Sequence, residues 1–229
     1  MIGIFDSGVG GLVSMREVRR LLPREDIIYL ADRKNAPYGT KTKEELSHLV
    51  CKDISVLCDM GARAILIACC TASTLFPSLP KGMREISYPI IPKSAEVAAS
   101  LGQRITVIAT EYTVASKAFS KEIKRKSSSA SVTEISAQRL VSLVESGASD
   151  GRLSLAEQNF ADSLAEKIKE TSPEVLVLGC THFSYLEGEL SARLGNIHIV
   201  TPAIIGAQDF AKKYRCANMP NGNGRTVYL

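Results

Sequence analysis

Ala64-Ile65-Leu66-Ile67-Ala68-Cys69 and Val175-Leu176-Val177-Leu178-Gly179-Cys180 are the two stretches that decide the fold. Each is a short run of apolar, strand-forming residues closed by a small residue and then a cysteine. Runs of this length and composition read as strands buried on both faces. A second pair matches at nearly the same offset: Ile2-Gly3-Ile4-Phe5-Asp6-Ser7 is similar to Ile105-Thr106-Val107-Ile108-Ala109-Thr110. The order of elements repeats, which implies two related halves.

Working outward, strands are expected at 2–5, 26–30, 63–68, 89–91, 104–109, 174–178 and 197–200. Helical patterns lie near 11–22, 42–60, 93–101, 113–125, 138–146, 154–171, 184–194 and 203–214. Thr42 with Glu45 and Ser154 with Glu157 form capping boxes at two helix starts. Gly61 and Pro173 are stop signals for those helices. Arg225-Thr226-Val227-Tyr228-Leu229 reads as a closing strand. Strand–helix alternation predicts parallel sheets flanked by helices. The fold class is therefore α/β: two related α/β lobes, each with a mainly parallel sheet, and an active site in the interlobe cleft. Loops at the carboxyl ends of such strands carry the chemistry.

Composition bounds the function. The 229 residues are 45% apolar and 23% charged, an ordinary balance for a globular protein. The net charge is +4, and no aromatic residues are interleaved with basic ones, so nucleic acid is not an expected partner. Lys124-Arg125-Lys126 reads as a solvated helix end. No signal peptide and no membrane-length apolar run is read, so a cytoplasmic protein with reduced thiols is expected. None of the six cysteines has a CxxC partner, and no metal site is expected.

Phe5-Asp6-Ser7-Gly8-Val9-Gly10-Gly11 follows the first strand. Its glycines allow close backbone approach to a ligand. A P-loop would need a following Lys-Ser or Lys-Thr, which is absent, and the dinucleotide spacing is absent too. Ala36-Pro37-Tyr38-Gly39-Thr40 is a turn-rich loop before a capped helix. A lone buried cysteine is usually an inert small hydrophobe. Cys69 and Cys180, however, stand at equivalent points of two related halves. A pseudo-twofold relation brings both to the cleft, facing a ligand from opposite sides. Racemisation needs that arrangement: a base on one face of Cα and an acid on the other. Thiols suit both roles, because a pKa near ~8.5 lets thiol and thiolate coexist near neutral pH.

Ile4-Phe5-Asp6-Ser7-Gly8-Val9-Gly10-Gly11-Leu12, Pro37-Tyr38-Gly39-Thr40, Ala68-Cys69-Cys70-Thr71-Ala72 and Leu178-Gly179-Cys180-Thr181-His182, in this order, resemble the glutamate racemases of the aspartate/glutamate racemase family. The resemblance implies Cys69 and Cys180 as the catalytic thiols. Asp6 would assist near Cys69, and Glu145 and His182 near Cys180. It implies a substrate site formed by Asp6, Ser7, Tyr38, Gly39, Cys70, Thr71, Thr181 and His182. No cofactor is implied; the partner is glutamate, and a homodimer is left open. Lobes of 1–93 plus 204–229 and of 94–203 are implied. Two positions depart from the family. Cys70 stands in place of an asparagine, and Ser146 in place of the second acid of an acidic pair after Glu145. The alternatives are a racemase for another acidic amino acid such as aspartate, or a catalytically weakened ligand-binding or regulatory homologue.

Overall fold

The computed structural model describes residues 1–145, 154–217 and 222–229, the Cys216 side chain aside. Ser146 lies outside the described residues. The chain runs β1 (Ile2–Asp6), α1 (Leu12–Leu21), β2 (Ile27–Ala31), α2 (Lys43–Asp59), β3 (Ala64–Ile67), α3 (Cys70–Ser73), α4 (Lys81–Ile86), β4 (Ser87–Pro89) and α5 (Ile91–Leu101). It continues through β5 (Arg104–Ala109), α6 (Glu111–Ser116), α7 (Ala118–Lys126), β6 (Ser131–Ser136), α8 (Gln138–Glu145), α9 (Leu155–Glu170) and β7 (Val175–Gly179). It ends with α10 (Glu187–Leu194), β8 (His198–Val200), α11 (Pro202–Ala217) and β9 (Thr226–Tyr228).

The strands form two sheets, in the orders β4-β3-β1-β2-β9 and β6-β5-β7-β8. Every strand pairing in them is parallel. Read from its other edge, the second sheet is β8-β7-β5-β6, the same order as β4-β3-β1-β2. The expected internal repeat is therefore present in the topology. It extends to register. Phe5 pairs with Ile67 in the first sheet, and Ile108 pairs with Leu178 in the second. Cys69 and Cys180 each lie two residues beyond those partners.

Side chains alternate across a strand, and this alternation layers the molecule. Ile2, Ile4, Leu66 and Ala68 of the first sheet join Ile105, Val107, Val175 and Val177 of the second in one apolar cluster, with residues of α5 and α11. On its other face the first sheet packs Phe5, Ile65 and Ile67 against Val50, Ile54 and Leu57 of α2. The second sheet packs Ile108, Leu176 and Leu178 against Leu140, Leu164 and Leu190 of α8, α9 and α10.

Both capping boxes form as expected, with Thr42 and Ser154 accepting from the backbone N–H of Glu45 and Glu157. Gly61 takes φ +94° just past the end of α2, where its lack of a Cβ is required. Four expectations are corrected. The strand expected at 89–91 is Ser87–Pro89, because Pro92 favours the first turn of a helix and draws Ile91 into α5. The helix expected over 113–125 breaks at Lys117, which adopts φ 56° and separates α6 from α7. The segment expected as helix from 184 starts as a 3₁₀ stretch, Thr181–Leu186, before α10. β6 was not expected at all: it is a half-exposed edge strand without a continuous apolar run. No described helix is long and apolar enough to cross a membrane.

Candidate active site

The carboxyl ends of β1, β3 and β7 meet the end of α8 and the start of α6. β1 ends at Asp6, fully buried, which organises the glycine loop around itself. Its Oδ2 accepts from Gly11 N–H at 2.8 Å and Gly8 N–H at 3.3 Å, and its Oδ1 accepts from the Thr181 hydroxyl at 3.3 Å. Tyr29 Oη donates to Gly8 O at 3.0 Å and Tyr185 Oη to Val9 O at 3.2 Å, pinning the loop from both sheets. The loop can come this close to the second half only because Gly8 and Gly10 lack side chains. A Cβ on Gly8 would fall 2.3 Å from Glu145 Oε1, and one on Gly10 would fall 2.5 Å from Thr181 Oγ1 and 2.7 Å from the His182 backbone nitrogen. Burial pushes the Asp6 carboxyl above the usual carboxylate range, opposed by the His182 charge and by the loop N–H donors.

Cys69 follows β3 and occupies the cap position of α3. Its Sγ lies 3.7 Å from Ser7 Oγ. Burial pushes this thiol up, and the Asp6 and Cys180 charges push the same way. The Ala72 N–H at the start of α3 and the Ser7 hydroxyl pull it back. Cys180 follows β7 in the equivalent place, with Sγ 3.6 Å from His182 Nδ1. His182 Nε2 lies 2.6 Å from Glu145 Oε1, which also accepts from Val9 N–H at 3.4 Å. Burial alone would depress His182, but the contacts to Cys180 and Glu145, with Asp6 behind them, outweigh it and push the imidazole up to about 11. Its partner Glu145 is held below the usual range by His182. The pair is thus an imidazolium and a carboxylate, with the imidazolium beside the Cys180 sulfur.

Beside Ser7, Glu145 and His182 opens a cavity of about 420 Å³, whose other lining residues are Ala36, Pro37, Val141 and Ser142. That is within the ~300–1,000 Å³ of small-molecule sites. Among the described residues no cluster of three or more His, Cys, Asp or Glu is placed to hold a metal ion.

The structure brings Asp6, Ser7, Cys69, Glu145, Cys180, Thr181 and His182 together. Thr71 lies behind them, with Oγ1 2.9 Å from Thr110 Oγ1 and 3.2 Å from Thr113 Oγ1, so its hydroxyl ties α3 to the start of α6. Gly39 abuts the second half, where an added Cβ would meet Gln138 Oε1 at 2.3 Å. The Tyr38 hydroxyl is engaged elsewhere, 2.7 Å from both Asp32 Oδ2 and Asp53 Oδ2. Cys70, 1% exposed, belongs to the apolar cluster shared by the two sheets, whereas Cys69 and Cys180 belong to the clusters on the outer faces. The cavity also has walls that the sequence reading did not pick out. Val141 and Ser142 sit four and three residues before Glu145 on α8, a spacing that puts them on its face. Pro37 was quoted in its loop but not as a lining residue.

The Asp/Glu/Hydantoin racemase family model matches residues 14–209. A glutamate racemase of Trichodesmium erythraeum is 36% identical over 226 residues, covering 96% of this chain and 81% of that protein. The crystal structure of a Thermus thermophilus glutamate racemase in complex with beta-chloro-D-alanine is 30% identical, with a TM-score of 0.83, over 100% of this chain and 86% of that one. A Francisella tularensis glutamate racemase structure in complex with D-glutamate is 25% identical, with a TM-score of 0.89, over 99% of this chain and 86% of that one. With this match over most of its length, the chain belongs to the Asp/Glu/Hydantoin racemase family.

Proposed function

We propose that this protein interconverts L- and D-glutamate by two-base proton transfer at Cα, with Cys69 and Cys180 as the exchanging acid and base. The observation that carries the reading is the register equivalence of the two buried cysteines, each just past the end of a matching strand of a repeated sheet. In this reading the lobes are 1–93 plus 204–229 and 94–203, and the substrate sits between them.

In one direction a thiolate removes the Cα proton from one face, and the opposite thiol delivers its own proton to the other face. The product leaves with inverted configuration and the two cysteines have exchanged protonation states. The reverse direction uses the same groups in exchanged roles. A charge on Cys180 opposes ionisation of Cys69, which favours one thiolate and one thiol, the state the reaction starts from. His182, charged and braced by Glu145, stands against the Cys180 sulfur. Asp6, held by the loop N–H groups and Thr181, lies on the Cys69 side. The Ser7 and Thr181 hydroxyls and the backbone around Gly39 supply polar partners for the substrate's ammonium and carboxylates. The product D-glutamate would serve peptidoglycan synthesis in the cytoplasm.

The test is circular dichroism of the purified protein with L-glutamate, D-glutamate and both enantiomers of aspartate. Loss of optical signal from both glutamates, with uptake of solvent deuterium at Cα, is expected. Turnover of aspartate alone would replace the substrate; no change with any of the four would overturn the reading.

A further inference from the structure

The Tyr38 hydroxyl has one hydrogen but two carboxylate neighbours, Asp32 Oδ2 and Asp53 Oδ2, each at 2.7 Å. It can donate to one of them. If both were ionised, the second would face the lone pairs of the phenol oxygen and the charge of the first. The arrangement closes when a carboxyl group supplies a second proton. Position decides which one. Asp53 is 4% exposed and lies on the buried face of α2 with Val50, Ile54 and Leu57. Asp32 is half-buried, and both its oxygens already accept from Asn35 Nδ2, at 2.8 and 3.0 Å.

We propose that Asp53 is a positioning residue of the substrate site: its carboxyl donates a hydrogen bond to Tyr38, Tyr38 donates to Asp32, and this relay holds the Pro37–Gly39 segment against the cleft. The segment has contacts worth holding. Pro37 forms one wall of the cavity, and Gly39 packs against Thr110 and Gln138 across the cleft. The charged and titratable groups that face Asp53 are Tyr38 and Asp32 from the loop after β2, and Lys52 from its own helix. Burial, reinforced by Asp32, pushes its carboxyl up to about 7 against the pull of Tyr38 and Lys52. The relay is therefore intact below that point. Above it Asp53 loses the proton it donates, and the segment loosens.

The consequence for substrate affinity rests on the racemase reading; the proton on Asp53 does not. The experiment separates the two. Wild type and Asp53→Asn, carrying ¹³C-carboxyl aspartate and ¹⁵N amides, are titrated by NMR from pH 4 to 9. The Asn side chain can donate to Tyr38 at every pH. In wild type the Asp53 carboxyl is expected to titrate near 7, and the Gly39 amide to move with the same midpoint. In Asp53→Asn the Gly39 amide should stay at its low-pH position throughout. The KM for L-glutamate should rise about fivefold across the transition in wild type, the equilibrium effect of one neutral hydrogen bond, and less in Asp53→Asn, with kcat alike. A carboxyl midpoint below pH 5, or a Gly39 amide that ignores it, would overturn the relay. A midpoint near 7 with both KM profiles rising in parallel would overturn the positioning role. Absence of glutamate turnover in both proteins would strike at the racemase reading alone, and the NMR midpoints would still decide the relay.

Discussion

His182 touches Glu145 through one ring nitrogen, at 2.6 Å, and the sulfur of Cys180 through the other, at 3.6 Å. The ring thus couples a carboxylate of the second half to the thiol after β7. Among the described residues no imidazole stands on Cys69 in this way; its hydrogen-bond partners are Ser7 and the Ala72 N–H. The two thiols are equivalent in the fold and different in their surroundings.

Glu145→Gln is expected to lower the His182 pKa and to reduce kcat/KM by about tenfold, the lower end of the effect of a hydrogen bond to a charged group. The sign for stability follows from the raised value in the folded protein. The imidazolium contribution is complete below about 6.5, the ordinary histidine value, and is lost as pH rises through about 11. Urea melts of wild type between pH 6 and 11 should show this decline, and Glu145→Gln should flatten it. Parallel decline in both proteins would remove the Glu145–His182 pair as its source.

Removing either thiol should abolish racemisation. Cys69→Ser and Cys180→Ser are each expected to lose at least ~10²-fold in turnover, with far-ultraviolet circular dichroism unchanged. Cys70→Ala, which touches the shared apolar cluster and not the outer faces, should keep turnover near the parent value. If Cys70→Ala is dead and Cys69→Ser is active, the catalytic register is off by one residue.

The glycine loop offers a contrast between two similar changes. A Cβ on Gly10 meets the His182 backbone at 2.7 Å, which cannot swing aside. Gly10→Ala should therefore cost ~1–3 kcal/mol of stability, as overpacking does, and turnover with it. A Cβ on Gly8 meets chiefly the Glu145 side chain, which can move. Gly8→Ala should melt nearer the parent temperature yet lose activity, because Glu145 leaves His182. Thermal melts set beside turnover rates check both.

Thr71→Val should loosen the join between α3 and α6. Its hydroxyl is shared with Thr110 and Thr113, which also contact each other at 2.8 Å. The loss is expected near ~1 kcal/mol, since the remaining pair still satisfies itself. Denaturant unfolding of Thr71→Val against Thr113→Val measures it.

The repeated half-fold was legible because buried parallel strands leave continuous apolar runs, as at Ala64–Ile67 and Val175–Gly179. The capped helices were legible because Thr42, Glu45, Ser154 and Glu157 act locally. β6 was not, because Val132, Glu134 and Ile135 sit on a half-exposed edge and carry no such run. The repeat itself held the missing signal: β2 has a counterpart in the second half only if 131–136 is a strand. In the site, Asp6, Ser7, Cys69, Cys180, Thr181 and His182 lie near one another at strand ends, whereas Cys70 of the same motifs turns into the apolar cluster between the sheets. Val141, Ser142 and Asp53 escaped notice because their placement depends on which helix face turns inward, and that is set by packing of distant segments; Asp32, in the loop after β2, belongs to none of the quoted motifs. The Tyr38 hydroxyl shows the same limit, since nothing local says that it turns to α2.

The first sheet is interrupted in sequence by the whole of the second. Its edge strand β9 comes from beyond β8 and α11. During synthesis the second sheet can therefore pair all its strands before the first has its outer edge. Until then β2 presents an unpaired row of backbone donors and acceptors, the kind of edge that recruits another chain. Nascent chains stalled before β9 should thus be the ones prone to aggregate, and a late strand acts as the seal on a sheet that the early ones started.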